Sequence, residues 1–472
     1  MVKNVTEIFN FIGAEVEQIA TNWESFASKV GAELPDSYQA ELQQLATDLT
    51  DAKDVLCDEL AHPTLILATT GTTSSGKSTL VNLLCGAEIL PVAVQEKSAG
   101  VVTVEYSETP ALEIHDTPGA IWECGSWQNL SDADIYDRLN RLMETYLQSK
   151  QEGATGVNCP RSTIYYPFRL VKEAGLLDLP PGTTVKIMDL PGLAHVGDEG
   201  NAAVIRESKK ALCLVTYNSA ETDRQKTANL LNEVVDQVKG LGGSPARMLF
   251  ILNRIDVFRS DKDWPSSEQR FTEQIQRDIK AKLTDSLPEY TGEIEDLQIV
   301  KLSALPALLS LRMNSDRSAA NSVDKNFNFL IPEDILGDLS RNVNKWSEHD
   351  CQRVADAIWE TAYANRFQTY LSNHIQVNFP QLIIPQAVSK FKDDAGYRLT
   401  EWATQTTSAF INSSEEKYQK ECQQIEEIKV DLTKFIRNRA NELREPFDQI
   451  DAIFQDPNNL SSMRHSLIKS TP

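Results

Sequence analysis

The sequence predicts an α/β domain, a mostly parallel sheet with helices on both faces, flanked by α-helical segments. Two patterns support this prediction. Between residues 64 and 310, short apolar runs alternate with stretches of helical periodicity, which is typical of parallel strands joined by crossover helices. Before and after that region, apolar residues recur at the spacing of amphipathic helices.

The predicted strands are six apolar runs: Leu65–Leu67, Val101–Val104, Val185–Met188, Leu212–Val215, Met248–Leu252 and Ile299–Leu302. A polar helix from about Asp132 to Lys150 falls between the second and third runs. We interpret residues 105–180 as an insertion into the domain.

Four segments follow from these patterns. Residues 1–62 form an N-terminal helical segment, broken at Leu34-Pro35-Asp36, and residues 63–312 form the α/β domain with its insertion. The polar residues 313–332 predict a linker, and residues 333–472 a C-terminal helical segment. Within that last segment, the apolar stretch bracketed by Pro380 and Pro385 predicts a bend between helices.

Composition excludes several classes of protein. The chain has 472 residues, 41% hydrophobic and 24% charged, as expected of a folded protein. A formal net charge of −22 argues against a nucleic-acid binder and against non-specific attraction to anionic lipid. Seven scattered cysteines without a CxxC pair indicate reduced thiols and a cytoplasmic protein. The sequence contains no run of about 18 apolar residues, the length that would predict a membrane span.

One octapeptide fits GxxxxGK[ST] in full, between an apolar run and a helical stretch. In such a loop, backbone N–H groups and a helix N-terminus hold phosphates. Lys77 is expected to reach the β- and γ-phosphates, and Ser78 to bind Mg²⁺. The predicted nucleotide-binding residues of this loop are Gly71, Thr72, Thr73, Ser74, Ser75, Gly76, Lys77, Ser78 and Thr79.

Two DxPG sequences compete for the second Mg²⁺ motif, one beginning at Asp116 and the other, with Gly192, at Asp189. Asp116 lies at the distance from Lys77 found in small Ras-like GTPases. The strand and helix order downstream favours Asp189, and Asp116 is then a turn residue of the insertion.

A base-binding motif follows the fifth apolar run. In Asn253-Arg254-Ile255-Asp256, the carboxylate of Asp256 is expected to accept two N–H bonds from guanine, which adenine cannot offer. Arg254 replaces the usual lysine, and its aliphatic stem still suits the base. Ser303, after the last strand, matches a short base-contacting Ser-Ala turn.

With these motifs in order, the chain resembles the dynamin family, and within it bacterial dynamin-like proteins. The resemblance rests on Gly71–Ser78, the Leu90-Pro91 stretch that leads to Ser98, the late Asp189 motif and Asn253–Asp256. It implies a large GTPase stimulated by dimerisation across the nucleotide face, with the flanking helices as neck and stalk.

The resemblance also implies site roles. Ser74 corresponds to the serine that helps to hold a charge-compensating K⁺ or Na⁺, and Thr73 stands where dynamins have a water-orienting glutamine. Ser98 is the expected switch I hydroxyl for Mg²⁺ and water, with Thr103 as the alternative. Leu193 stands where Ras-like enzymes place a catalytic glutamine. The expected catalytic residues are Ser74, Lys77, Ser98 and Thr73, and the metal ligands Ser78, Ser98 and Asp189.

The expected function is therefore GTP binding and hydrolysis by a self-assembling, mechanochemical protein that is peripheral at the membrane and remodels it. Its expected partners are GTP and GDP, further copies of itself and lipid, although no lipid-binding tip is visible. We expect a short or truncated family member. Two alternatives stay open: a GTPase switch that binds a protein partner without lipid, and a nucleotide-stabilised scaffold with little hydrolysis.

Overall fold

The computed structural model describes residues 4–31, 36–71, 74–92, 100–173, 175–190, 210–221, 231–232, 235, 244–313, 315–402 and 404. They fall into two compact units. One unit comprises Met1–Pro63, Leu179–Thr183 and Phe379–Pro472, and the other comprises Thr64–Asp178 and Thr184–Asn378.

The larger unit is built on a single nine-stranded sheet. Its strands are β1 (Thr64–Gly71), β2 (Val101–Tyr106), β3 (Ala111–Ile114), β4 (Gly125–Gln128), β5 (Arg161–Tyr166), β6 (Thr184–Asp189), β7 (Ala211–Asn218), β8 (Met248–Asn253) and β9 (Ile299–Leu302). All six strands predicted from apolar runs are present, so the predicted fold class is confirmed.

The strands lie in the order β4-β3-β5-β2-β6-β1-β7-β8-β9. The five from β6 to β9 in this order are parallel, and β2 runs antiparallel to β6. Because the five strands are parallel, the carboxyl ends of β1, β6, β8 and β9 meet at one edge of the sheet.

The insertion widens this sheet. Strands β3, β4 and β5 come from it, and β5 pairs parallel to β2. Its helix α4 (Asp132–Gln151) was predicted at nearly these bounds, and a capping box between Ser131 and Asp134 starts it. The three strands were not predicted, because each has only four to six residues and none contains a long apolar run.

Helices pack on the sheet and continue beyond it. Before the insertion lies α3 (Lys77–Cys85), and α5 (Arg169–Lys172) follows α4. The later helices are α6 (Ser266–Ser286), α7 (Thr291–Glu295), α8 (Ala304–Arg312), α9 (Arg317–Phe327), α10 (Glu333–Asp338), α11 (Glu348–Thr361) and α12 (Ala364–Phe391). Helix α6 buries Ile275, Ile279 and Leu283 in a core shared with β7 and β8.

The linker predicted at 313–332 is wrong. Helix α9 lies within it and buries Ala319, Ala320 and Val323 in a cluster with residues of α8 and α11. Its few apolar side chains recur at helical spacing, and the polar majority faces solvent, so composition alone suggested a loop. The expected boundary at 333 is also too early, since the compact unit extends to Asn378.

The smaller unit contains the two N-terminal helices that the sequence predicted, α1 (Val5–Gly31) and α2 (Asp36–Ala61), with the end of α12. The predicted bend near Pro380 and Pro385 is wrong, because both lie inside α12. An interior proline costs about 3 kcal/mol. Burial of neighbours such as Phe379, whose ring lies 6.0 Å from that of Phe9, offsets this cost.

A π-helical turn, Lys392–Gly396, follows α12. Among the described residues, no helix combines the length and the apolar character needed to cross a bilayer.

Candidate nucleotide site

The candidate site lies at the carboxyl ends of β1, β6 and β8, where the octapeptide loop joins β1 to α3. Gly71 ends β1 and pairs with Thr216 of β7, and α3 begins at Lys77. The whole first turn of α3 is buried. The loop and the helix N-terminus therefore have the strand–loop–helix arrangement that holds phosphate groups.

Two glycines of the loop occupy positions that no side chain would fit. Gly76 has a φ of 87°, and a Cβ there would lie 2.3 Å from the amide nitrogen of Asn253. Gly71 has a φ of 145°, and a Cβ there would lie 2.3 Å from the carbonyl oxygen of Thr216. The motif requires glycine at both places because the loop backbone packs directly against β7 and β8.

Lys77 is buried at the centre of the loop. Its Nζ donates a hydrogen bond to the carbonyl oxygen of Gly71, at 3.0 Å, and only 5% of the residue is exposed. Strand β7 also fixes the loop, because the hydroxyls of Ser75 and Thr216 lie 2.6 Å apart and the Thr216 hydroxyl donates to the Thr70 carbonyl oxygen. The lysine is thus held across the concave face of a braced loop.

Ser78 and Asp189 form the second part of the site. The Ser78 hydroxyl donates to Oδ2 of Asp189 at 2.7 Å, and the Thr69 hydroxyl donates to Oδ1 at 2.8 Å. Burial raises the pKa of Asp189 above its ordinary value, and the charge of Lys77 and the two hydroxyl donors counteract this shift. A carboxylate buried in this way is poised to receive a cation.

The competing Asp116 lies elsewhere. It is exposed, directly beyond β3, and in the sheet order β3 is separated from β1 by β5, β2 and β6. Asp189 ends β6, the direct neighbour of β1, and its register partner there is Thr69. Of the two competing aspartates, Asp189 is therefore the one that lies beside Ser78.

Asn253 joins the phosphate loop to the base-binding segment. Its amide nitrogen donates to the Ser75 carbonyl oxygen at 2.8 Å, and its Oδ1 accepts from the N–H groups of Arg254 and Ala304, at 2.9 and 3.0 Å. The side chain is almost completely buried. One amide thus uses both its donor and its acceptor to fix three loops at the same edge.

The base-binding residues lie next to Asn253. Arg254 is exposed with a φ of 60°, and a turn of 3-10 helix, Ile255–Ser260, follows it. The N–H of Asp256 donates to the Ser303 hydroxyl at 3.1 Å, and the N–H of Ser303 donates to the Ala362 carbonyl oxygen at 3.0 Å. The structure therefore brings Asp256 and Ser303 together, as the order of motifs predicts.

A buried acid that the sequence did not predict stabilises β9 and the segment after it. Glu268 of α6 accepts hydrogen bonds from Lys301, two residues before Ser303, and from Tyr363 and Trp264. Burial alone would raise the pKa of Glu268, but these three donors outweigh it and lower the pKa. The ionised acid therefore ties β9 to the α11–α12 junction.

Several expected site residues lie outside the described residues: Thr72, Thr73, Ser98, Gly192 and Leu193. Thr79 is buried in the first turn of α3, and Ser74 has a φ of 64° on the exposed side of the loop. Thr103, the alternative switch I residue, lies within β2 opposite Met188.

Thr69 and Thr216 were missed as well. Each follows or ends an apolar run, and nothing in the sequence distinguishes a threonine that fixes a loop from an ordinary strand residue. Their position beside the phosphate loop follows from strand pairing alone.

The match to known families agrees with this geometry. Residues 67–255 match the sequence model of the dynamin family. The chain carries a dynamin-family GTPase domain. GTP hydrolysis is the reaction of such a domain, and the residues that match include the phosphate loop, Asp189 and Asn253. No curated protein matches the sequence.

Among solved structures, one described as an oligomerised bacterial dynamin pair for sensing and tethering membranes is 14% identical with a TM-score of 0.41. The alignment covers 93% of this chain and 53% of that chain. The bacterial dynamin GTPase LeoA from ETEC is 12% identical with a TM-score of 0.40, covering 96% of this chain and 60% of its own. The chain thus spans about half of the first structure.

Proposed function

We propose that the chain binds GTP along the carboxyl edge of its sheet and hydrolyses it in a dimer formed across the nucleotide face. The observation that carries this proposal is the buried pair of Ser78 and Asp189, 2.7 Å apart beneath a loop that holds Lys77. The loop amides and Lys77 would bind the β- and γ-phosphates.

The residues fit Mg²⁺. A hydroxyl and a carboxylate supply hard oxygen donors of the kind this ion prefers, and the carboxylate is only 3% exposed. Ser78 would bind the ion directly, with Asp189 beside it. When bound, the ion neutralises charge on the phosphates. The protein's own contribution is to hold the carboxylate in place through Thr69 and Ser78 and to keep water from it.

Selectivity for guanine is proposed to come from Asp256. Its backbone is fixed by Ser303, and Asn253 fixes the segment immediately before it. A carboxylate held there pairs with guanine N1 and N2, whereas adenine would leave it unpaired at a cost of a few kcal/mol. The stem of Arg254 would cover the base from the exposed side.

Slow turnover in the monomer and activation by dimerisation complete the proposal. Leu193 cannot orient water, so the attacking water would be positioned by Ser98 of switch I, together with Thr73, once the nucleotide face is covered. A K⁺ or Na⁺ ion near Ser74 would compensate charge in the transition state. Excluding water at such an interface strengthens these electrostatic contacts.

The membrane role is the coarsest part of the proposal. Helices on both sides of the GTPase domain suit a neck and stalk that assemble with other copies, at the surface of a membrane and in the cytoplasm. Vesicle binding that depends on GTP would support remodelling of membranes.

The experiment is GTP turnover over a hundredfold range of protein concentration, in K⁺, Na⁺ and Li⁺ buffers, with and without liposomes. We expect specific activity to rise with concentration and to need K⁺ or Na⁺. Flat specific activity in all three buffers would contradict activation by dimerisation and favour a monomeric switch that depends on a separate activating protein.

A further inference from the structure

A cavity of about 430 Å³ lies in the insertion, away from the nucleotide site. Residues 115–118 form one wall, and Asn158, Cys159 and Arg161 form the other. Its volume is within the range of cavities that bind small molecules. It contains Asp116 and Thr117 of the first DxPG sequence, which the proposed GTPase function leaves without a role.

The walls of this cavity are fixed to each other at both ends. The N–H of His115 donates to the Arg161 carbonyl oxygen and the N–H of Asn158 to the Pro118 carbonyl oxygen, both at 3.0 Å. Gly119 packs so closely on Gly156 that a Cβ would lie 2.2 Å from its carbonyl oxygen. The cavity is therefore formed before any ligand binds.

Three polar side chains on the cavity have no hydrogen-bond partner among the described residues: the half-buried Asn158 amide and Arg161 guanidinium, and the exposed Asp116 carboxylate. All three belong to residues that line the same space.

The charges on the cavity are opposite and unpaired. Asp116 and Arg161 form no ion pair with each other or with any described residue, although both line the cavity. His115 is already engaged, because its ring nitrogens lie 2.8 Å from the Thr163 hydroxyl and 3.4 Å from the Glu113 carboxylate. A ligand with both signs of charge would satisfy what a simple anion or cation cannot.

We propose that this cavity binds a small zwitterion that carries an oxyanion and a protonated amine a few atoms apart. Arg161 and the Asn158 amide bind the oxyanion, and Asp116 binds the amine. Free amino phosphates and the phosphoethanolamine head group of a lipid share this chemistry.

The test is a calorimetric titration of the full chain with O-phosphoethanolamine, and separately with inorganic phosphate and with ethanolamine. We expect the zwitterion to bind more tightly than either half. Arg161→Gln and Asp116→Asn should each weaken it about tenfold, the value of one charge-assisted contact. Arg138→Gln is the control, because Arg138 stacks on Trp127 outside the cavity.

Vesicles with and without phosphatidylethanolamine separate the two sources, since binding that needs the lipid and is lost in Arg161→Gln identifies a head group. Binding of O-phosphoethanolamine without vesicle binding identifies a free molecule. Three results would overturn the proposal. The first is no binding at a ligand concentration about ten times the millimolar dissociation constant of a weak ligand. The others are equally tight binding of phosphate alone and unchanged binding by Arg161→Gln. GTP turnover of Asp116→Asn should be normal, which separates this test from that of the nucleotide site.

Discussion

Replacing Asp189 by asparagine should separate the stability of the ligand-free protein from its affinity for nucleotide. The substitution keeps the shape of the side chain and removes its charge. Burial raises the folded-state pKa of this carboxyl above 3.8, so its ionisation disfavours the folded state. Its contribution to stability is greatest below pH 3.8 and is lost as the pH rises through the raised pKa. The ligand-free variant should therefore unfold at an equal or higher temperature than the wild type at neutral pH.

In the nucleotide complex the same substitution should be harmful. A contact with a charged group is worth about 1.5–3 kcal/mol, which is roughly a ten- to hundredfold loss of Mg²⁺-dependent affinity. The assay is titration with a fluorescent GTP analogue, with Mg²⁺ and with EDTA, beside thermal unfolding across pH. Asp116→Asn is the control. If Asp116→Asn loses affinity and the Asp189 variant does not, the metal side of the site has been assigned to the wrong motif.

Two further substitutions test the loop and the base site. Gly76→Ala should lower the free energy of unfolding by about 2 kcal/mol, because it strains the backbone at a positive φ and breaks the hydrogen bond between Asn253 and the loop. Gly153→Ala is the control in thermal unfolding. Gly153 has a similar φ but no atom within 4 Å of the added Cβ, so its substitution should cost only the strain. Asp256→Asn should shift nucleotide preference from GTP towards xanthosine triphosphate in competition assays. Asp261→Asn, the control, should leave the preference unchanged. An unchanged preference in Asp256→Asn would mean that Asp256 does not contact the base.

The parts of the fold that the sequence predicted are those with strong local patterns. The buried parallel strands consist of long apolar runs, and α1, α2 and α4 show clear helical periodicity. The strands of the insertion and helix α9 were missed, because these strands have only four to six residues each and the helix has few apolar ones. The interior prolines of α12 show that tertiary burial can override a local signal.

Much of the candidate site followed from the order of motifs. The choice of Asp189 over Asp116 depended on counting strands, and the sheet order places Asp189 beside Ser78. The bracing residues did not follow. Thr216 reaches the loop only through the pairing of β1 with β7, and Glu268 reaches β9 only through folding of α6. Such long-range contacts leave no local pattern.

The most direct test of the account is GTP turnover by a Lys77→Ala variant at a protein concentration where the wild type is active. Because Lys77 is the buried cation of the phosphate loop, we predict loss of GTP binding or hydrolysis with an unchanged fold by circular dichroism. Lys172→Ala, an exposed lysine of the same domain, should retain full activity. Normal turnover by a folded Lys77→Ala protein would contradict the assignment of this loop as the nucleotide site.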